Sequence, residues 1–246
     1  MKRIALALLF LTYAVSPVHA AGTDNPDQPL NLMFVMAAMS LAPFILIMIT
    51  SFVKISVVLS MVRQAIGTQQ IPPTQVITGL SMILTIYIMT PVAIEVKNAS
   101  ADLIEQRTGS TLLSSANTDV IMEAGKRAAE PIRKFLIKHA HRKERVLFLD
   151  LARQLRKPEE RASLTDKDLL VLIPSFVISE LQEAFEIGFI LFVPFIIIDM
   201  VVSNILLAMG MFMLSPVTVS LPFKLLLFIL VDGWYLIARG LVLGYV

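Results

Sequence analysis

Charge is spread along these 246 residues in a pattern that few folds can accommodate. Of the 40 Lys, Arg, Asp and Glu side chains, 27 fall between Glu95 and Asp168, where 15 basic and 12 acidic residues share 74 positions. Outside that segment three long stretches, Gln28 to Val53, Thr74 to Ile94 and Met200 to Phe223, carry no charge at all. A soluble domain distributes charge along its whole length, because every surface element meets water, and about a quarter of its residues are charged. Here only 16% are charged and 56% are hydrophobic. Two apolar blocks therefore flank one water-soluble insert, and the blocks must meet lipid or other apolar protein. A net charge of +2 without an aromatic-plus-basic stripe gives no reason to expect nucleic acid as a partner.

The first 20 residues read as a secretory signal peptide. Lys2 and Arg3 form a positive start, Ile4 to Val15 an apolar core, Pro17 a break, and Val18-His19-Ala20 a small-x-small cleavage site that leaves Ala21 as the first mature residue. The alternative is a short uncleaved anchor, although roughly 12 apolar residues fall short of the ~20 that a spanning helix needs. Residues 21–31 follow as a polar linker. Residues 32–94 read as an apolar helical hairpin: a helix from Leu32 to Met61 kinked at Pro43, a turn from Arg63 to Pro73, and a second helix starting at Thr74. Residues 95–168 form the charged insert. Ile132, Leu136, Ala140, Leu147, Leu151 and Leu155 recur at helical spacing, so one helix is expected over Asp119–Leu155. Gly109 to Asn117 reads as a loop, Lys157 to Glu160 as a stop, and Ser163 to Asp166 as the next start.

Residues 169–246 form a second apolar block, broken in its middle by Gly210, Pro216 and Pro222. The expected class is all-α: an integral membrane protein of bent helical hairpins, with three or four membrane-type helices and a broken one. A cleaved signal peptide puts the mature N-terminus outside the cytoplasm, the Arg63–Pro73 turn inside it, and the helical insert in the periplasm. The positive balance of the insert does not oppose this, because long segments cross largely regardless of charge.

Seven charged side chains stand in or beside the apolar helices: Lys54, Glu180, Glu183, Glu186, Asp199, Lys224 and Asp232. An ionised group in hydrocarbon is costly, so these must face protein or water and tend to pair. One reading is a proton or ion path; the other is packing between helices or subunits. Five acids and two bases form no ordered relay, which favours packing. Met209-Gly210-Met211-Phe212-Met213 sits in the middle of the uncharged stretch, where Gly210 and Pro216 can open the helix into a loop. Its unbranched thioethers could close a pore and deform around a passing chain, or they could be ordinary core or lipid-facing methionines. Signs of enzymatic chemistry are missing. The chain has no cysteine, no G-x-x-x-x-G-K-[ST] phosphate loop and no G-x-S-x-G. His139 and His141, two apart on the expected helix, would point to different faces. Neither an enzyme nor a cofactor is expected.

Four stretches carry a family likeness: Thr50–Val76, Pro174–Phe189, Ile198–Pro216 and Ser220–Trp234. They resemble the FliP/SctR family of type III protein export gates, and the likeness covers nearly all of residues 30–238, with Ser175 standing where a small apolar residue would be expected. The resemblance implies a homo-oligomer, a pentamer, that joins FliR- and FliQ-type gate subunits and an FlhB-type switch protein in a helical pore. It also implies a place in the bacterial inner membrane within the basal body, with unfolded export substrates threading through. It makes Met209, Met211, Phe212 and Met213 a methionine-rich gasket. The signal peptide and the Gly67–Pro73 turn look flagellar; the virulence injectisome is the alternative. A conduit for substrates and a scaffold that nucleates the basal body are both compatible with it.

Overall fold

The computed structural model describes residues 28–68, 71–105, 118–161 and 164–246. The signal peptide, the Ala20–Ala21 cleavage site and the 109–117 loop lie outside the described residues. Every regular element among the described residues is an α-helix. In chain order these are α1 Gln28–Met48, α2 Phe52–Ile66, α3 Thr74–Glu105, α4 Thr118–His139, α5 Arg142–Leu155, α6 Pro158–Arg161, α7 Leu169–Ala208, α8 Pro216–Leu230 and α9 Gly233–Leu243. The chain divides into two compact units, residues 1–42 and 43–246. In the first, the described residues belong to α1. The second holds all the packing that follows.

The expected helix over 32–61, kinked at Pro43, is two helices with the break at Ile49–Ser51. Pro43 sits inside α1; it removes one N–H, which an apolar helix tolerates. At the break the Thr50 hydroxyl donates to the Ile47 carbonyl at 3.4 Å, competing with the helical ladder. Beyond the break, α2 turns Ile55, Val58, Leu59, Val62, Ala65 and Ile66 into the core at intervals of one, three and four residues. It packs on α3, α7 and α8, and ends at Gly67, whose φ of 86° lets its N–H reach the Gln64 carbonyl.

Two of the helices are far longer than the rest. α3 does not stop where charge begins at Glu95 but runs 32 residues to Glu105, and α7 runs 40 residues straight through Pro174 and Pro194. By length and composition two described helices can cross a membrane, Thr74–Ala99 and Leu169–Ala208, or three if the pair α8 and α9, bent by 59°, counts as one span. The 15 residues of α2 reach only about 22 Å, short of a ~30 Å hydrocarbon layer, and the apolar stretch after 169 fuses into one helix of about 60 Å. Only 17% of each spanning window is buried within the chain, which leaves most of its apolar surface for lipid or other protein.

The insert also differs from its expected form. The helix expected over Asp119–Leu155 is broken at Ala140–His141 into α4 and α5. His141 adopts an extended backbone (ψ 143°), and its N–H leaves the helical ladder to donate to the Ser179 hydroxyl on α7 at 2.9 Å. A tertiary partner thus replaces a local hydrogen bond. The start signal placed at Ser163–Asp166 falls slightly early. Asp168 stands at the N-cap position of α7, and its carboxylate takes the Thr165 N–H at 2.8 Å instead of a helix N–H, closing the turn that leads in.

α7 is the common wall, with α2, α4, α5 and α8 all packed on it. At Gly188 the contact with α2 is so close that a Cβ would lie 2.3 Å from the Met61 sulfur. One apolar cluster joins α2, α3, α7, α8 and α9; a second joins Phe135 and Leu136 of α4 to Leu172 and Phe176 of α7 and to Tyr245.

Candidate functional site

Lys54 lies on the same face of α2 as the core residues and is 2% exposed. At a buried position its ammonium must be matched, and α7 supplies two carboxylates three residues apart, hence on one face. Lys54 Nζ stands 3.2 Å from Glu180 Oε1 and 2.6 Å from Glu183 Oε2. The Tyr245 ring lies beneath the ammonium at 4.2 Å, and its hydroxyl donates to Glu180. The break between α4 and α5 aims His141 at the same place: Nε2 is 2.7 Å from Glu183 Oε1, and Nδ1 is 3.8 Å from the buried Glu144. One knot of charge therefore ties the insert to α2, α7 and the segment after α9.

A second knot lies further along α7. Lys224 of α8 is buried, with Nζ 2.7 Å from Asp199 Oδ2, while the Ser220 hydroxyl bonds the other carboxylate oxygen. Glu186 and Asp232 join neither knot. Glu186 is exposed and accepts from Gln182 in its own helix at 3.0 Å. Asp232 is exposed at the α8–α9 bend, where it carries the left-handed φ of 52°. His141, Glu144, Ser220 and Tyr245 were not singled out as partners from the sequence. Ser220 had a signal, since it is a polar residue one turn before a lysine in an apolar helix. Tyr245 had none.

The Met209–Met213 segment forms the connection between α7 and α8. α7 is closed by Gly210, whose φ of 74° lets two N–H groups turn back: Met211 N–H to the Leu206 carbonyl at 2.9 Å and Gly210 N–H to the Leu207 carbonyl at 3.0 Å. Pro216 then opens α8, where its missing N–H is not needed. The side chains in between find little cover within the chain: Phe212 is 76% exposed and Met213 99%.

Among the described residues no three His, Asp or Glu side chains gather so as to hold a metal ion. One group in the insert does titrate abnormally. Burial, with Lys138 and Lys54 adding to it, pushes the His139 imidazole down to about 4. The folded chain then binds this proton later than the unfolded chain, so stability is full above about pH 6.5 and falls as pH drops toward 4. Replacing His139 by Asn is expected to flatten that part of the profile, which melting curves of the detergent-solubilised protein at pH 4.5 and 7.5 would show as a smaller loss, by several degrees, than in the parent.

Residues 35–241 match the FliP family over their whole length. The chain belongs to the FliP family. Its relatives come from both flagella and virulence systems. It is 44% identical to the Yop proteins translocation protein R of Yersinia pestis over 220 residues, which is 89% of this chain and 97% of that protein. It is also 44% identical to the flagellar biosynthetic protein FliP of Bacillus subtilis over 223 residues, covering 90% of this chain and 94% of that protein. The virulence protein YscR of Salmonella typhimurium is 40% identical over 220 residues, 89% and 98% of the two chains.

Proposed function

We propose that this chain is the core subunit of a flagellar type III protein export gate. Several copies, a pentamer, assemble with FliR- and FliQ-type subunits and an FlhB-type switch protein in the bacterial inner membrane. There they form the pore that unfolded flagellar subunits cross, and they nucleate the basal body. The charged insert faces the periplasm. The observation that carries this reading is the exposed Met209–Met213 connection, which stands uncovered at the end of a 40-residue apolar helix. A run of Met and Phe so exposed gains nothing in a lone chain, whereas a ring of copies would bring these side chains together as an apolar constriction. Met209, Met211, Phe212 and Met213 are the gasket of this reading. Lys54, Glu180, Glu183, Asp199 and Lys224 set the angles between the helices that carry it.

Relatives named for flagella and for translocation are equally similar, so the injectisome is the second reading. Deleting the gene and collecting the culture medium separates the two. Loss of secreted filament subunits and of motility, both restored by a plasmid copy, is the expected result. Intact motility with loss of secreted virulence proteins would move the chain to the injectisome, and unchanged secretion of both would remove the export reading altogether.

A further inference from the structure

From Leu169 onward the chain carries seven charges, and the two knots use four of them. Glu186, Asp232 and Arg239 are left over, and none of them has an ion-pair partner among the described residues. Glu186 stands on the exposed side of α7, with Phe189 and Ile190 exposed one turn further on. Arg239 stands on the exposed side of α9, flanked one turn away by the exposed Tyr235, Leu236 and Leu243. Each is a lone charge on an apolar face. The two also stand at one level of the packed helices. Gly233, Leu236 and Ile237 share a small apolar pocket with Leu191 and Phe195, while Tyr245 reaches Glu180. The chain from α9 onward therefore runs against α7 in the reverse direction. Arg239, between Ile237 and Tyr245, comes to the level of Glu186, between Glu180 and Leu191.

An ionised group on an apolar helix face is costly unless it meets an opposite charge. Within one chain Glu186 and Arg239 share a level but not a contact, and Asp232 lies two turns, about 10 Å, before Arg239 at the α8–α9 bend. A lipid phosphate would match Arg239 and repel Glu186. A second copy of the chain answers both, because it brings the base that Glu186 lacks and the acid that Arg239 lacks. In a ring built from head-to-tail contacts, one face of each copy meets the opposite face of the next. Rotation about an axis that runs along α7 keeps Glu186 and Arg239 at their shared level. We propose that Glu186 of one copy pairs with Arg239 of the next, so that the exposed face of α7 around Phe189 packs on the exposed face of α9 around Leu236. The pairing rests on the reading that several copies assemble, and it names the two faces that meet.

Charge reversal and cross-linking of the full chain, produced together with its gate subunits, test this. Glu186→Arg or Arg239→Glu alone sets like charges face to face and is expected to lower the yield of assembled complex about tenfold. The two reversals in one chain should restore at least half of the parent's yield. Both positions are exposed and unpaired within the chain, so each reversal should shift the melting of the solubilised single chain by no more than about 2 °C. The sequence has no cysteine, which makes a second measurement independent of the reversals. One copy carries Glu186→Cys, a differently tagged copy carries Arg239→Cys, and a short bismaleimide joins them, since ion-paired side chains hold their Cβ atoms farther apart than a disulfide allows. A covalent dimer with both tags is expected from this pair, and not from Glu186→Cys beside Asp232→Cys. With the parent assembling, four results would each overturn the pairing and leave assembly standing: full yield from both single reversals, losses that the double reversal does not restore, rescue of Arg239→Glu by Asp232→Arg, or no mixed dimer. A parent that stays monomeric beside its gate subunits would overturn the assembly reading itself, and the pairing with it.

Discussion

Replacing Lys54 by Met should leave almost no folded protein to purify. The ammonium is the one basic group between Glu180, which is 0% exposed, and Glu183, and no water reaches Glu180 to take its place. Removing one partner of a buried pair typically costs about 3–5 kcal/mol, a large share of the 5–15 kcal/mol that holds a typical domain folded. The cause is the stranded carboxylate and not the lost attraction, so the double variant Lys54→Met with Glu180→Leu should recover most of the loss. Glu183 can then rely on His141 at 2.7 Å. Thermal melting and size-exclusion recovery of the single and double variants form a mutant cycle. A single variant that melts with the parent, or a double variant no better than the single, would show that the knot does not carry the fold. The same cycle addresses the proton-path alternative, since a relay group would change export while leaving melting untouched.

Changing Met209, Met211 and Met213 together to Ala should leave the chain folded but let the assembled complex leak. These side chains are 57%, 46% and 99% exposed, so truncating them removes little packing within the chain. In a closed ring they would exclude water, and shortening all three in every copy should widen that ring enough to wet it. Conductance of the purified gate complex in planar bilayers is then expected to rise on the order of tenfold, with slowed growth of cells that overproduce it. Unchanged conductance in a complex that assembles and exports normally would exclude these methionines as the constriction. Gly210→Val offers an independent check. Space is open around Gly210, but its φ of 74° is disfavoured for any residue with a Cβ, so this variant disturbs the path of the connection without altering a methionine.

Much of the molecule was legible before any coordinates. The all-α class, the long apolar helices and the charged insert follow from where charge is absent, because an apolar run has few ways to satisfy its backbone other than a helix. The connection at Met209–Met213 was legible for a similarly local reason, since glycine and proline act on their own peptide units. Elements whose ends depend on a distant partner were not legible. The helix expected over Asp119–Leu155 breaks at His141 because Ser179, 38 residues later, takes its N–H, and no periodicity reports a hydrogen bond across that distance. The helix start fell at Asp168 because its carboxylate closes a turn with Thr165, which competes with the nearby Ser163–Asp166 signal.

The charges divide in the same way. Sequence alone determined that Lys54, Glu180, Glu183, Asp199 and Lys224 could not stand bare in apolar helices, because transfer of an ion from water is costly wherever it ends up. Which acid meets which base, and that Tyr245 and His141 complete the first knot while Ser220 completes the second, was decided only by the tertiary structure. Desolvation is a property of each residue and its segment. Pairing depends on distances of 2.6 to 3.2 Å between helices that are remote in the chain, and those distances exist only once α2, α7 and α8 have packed.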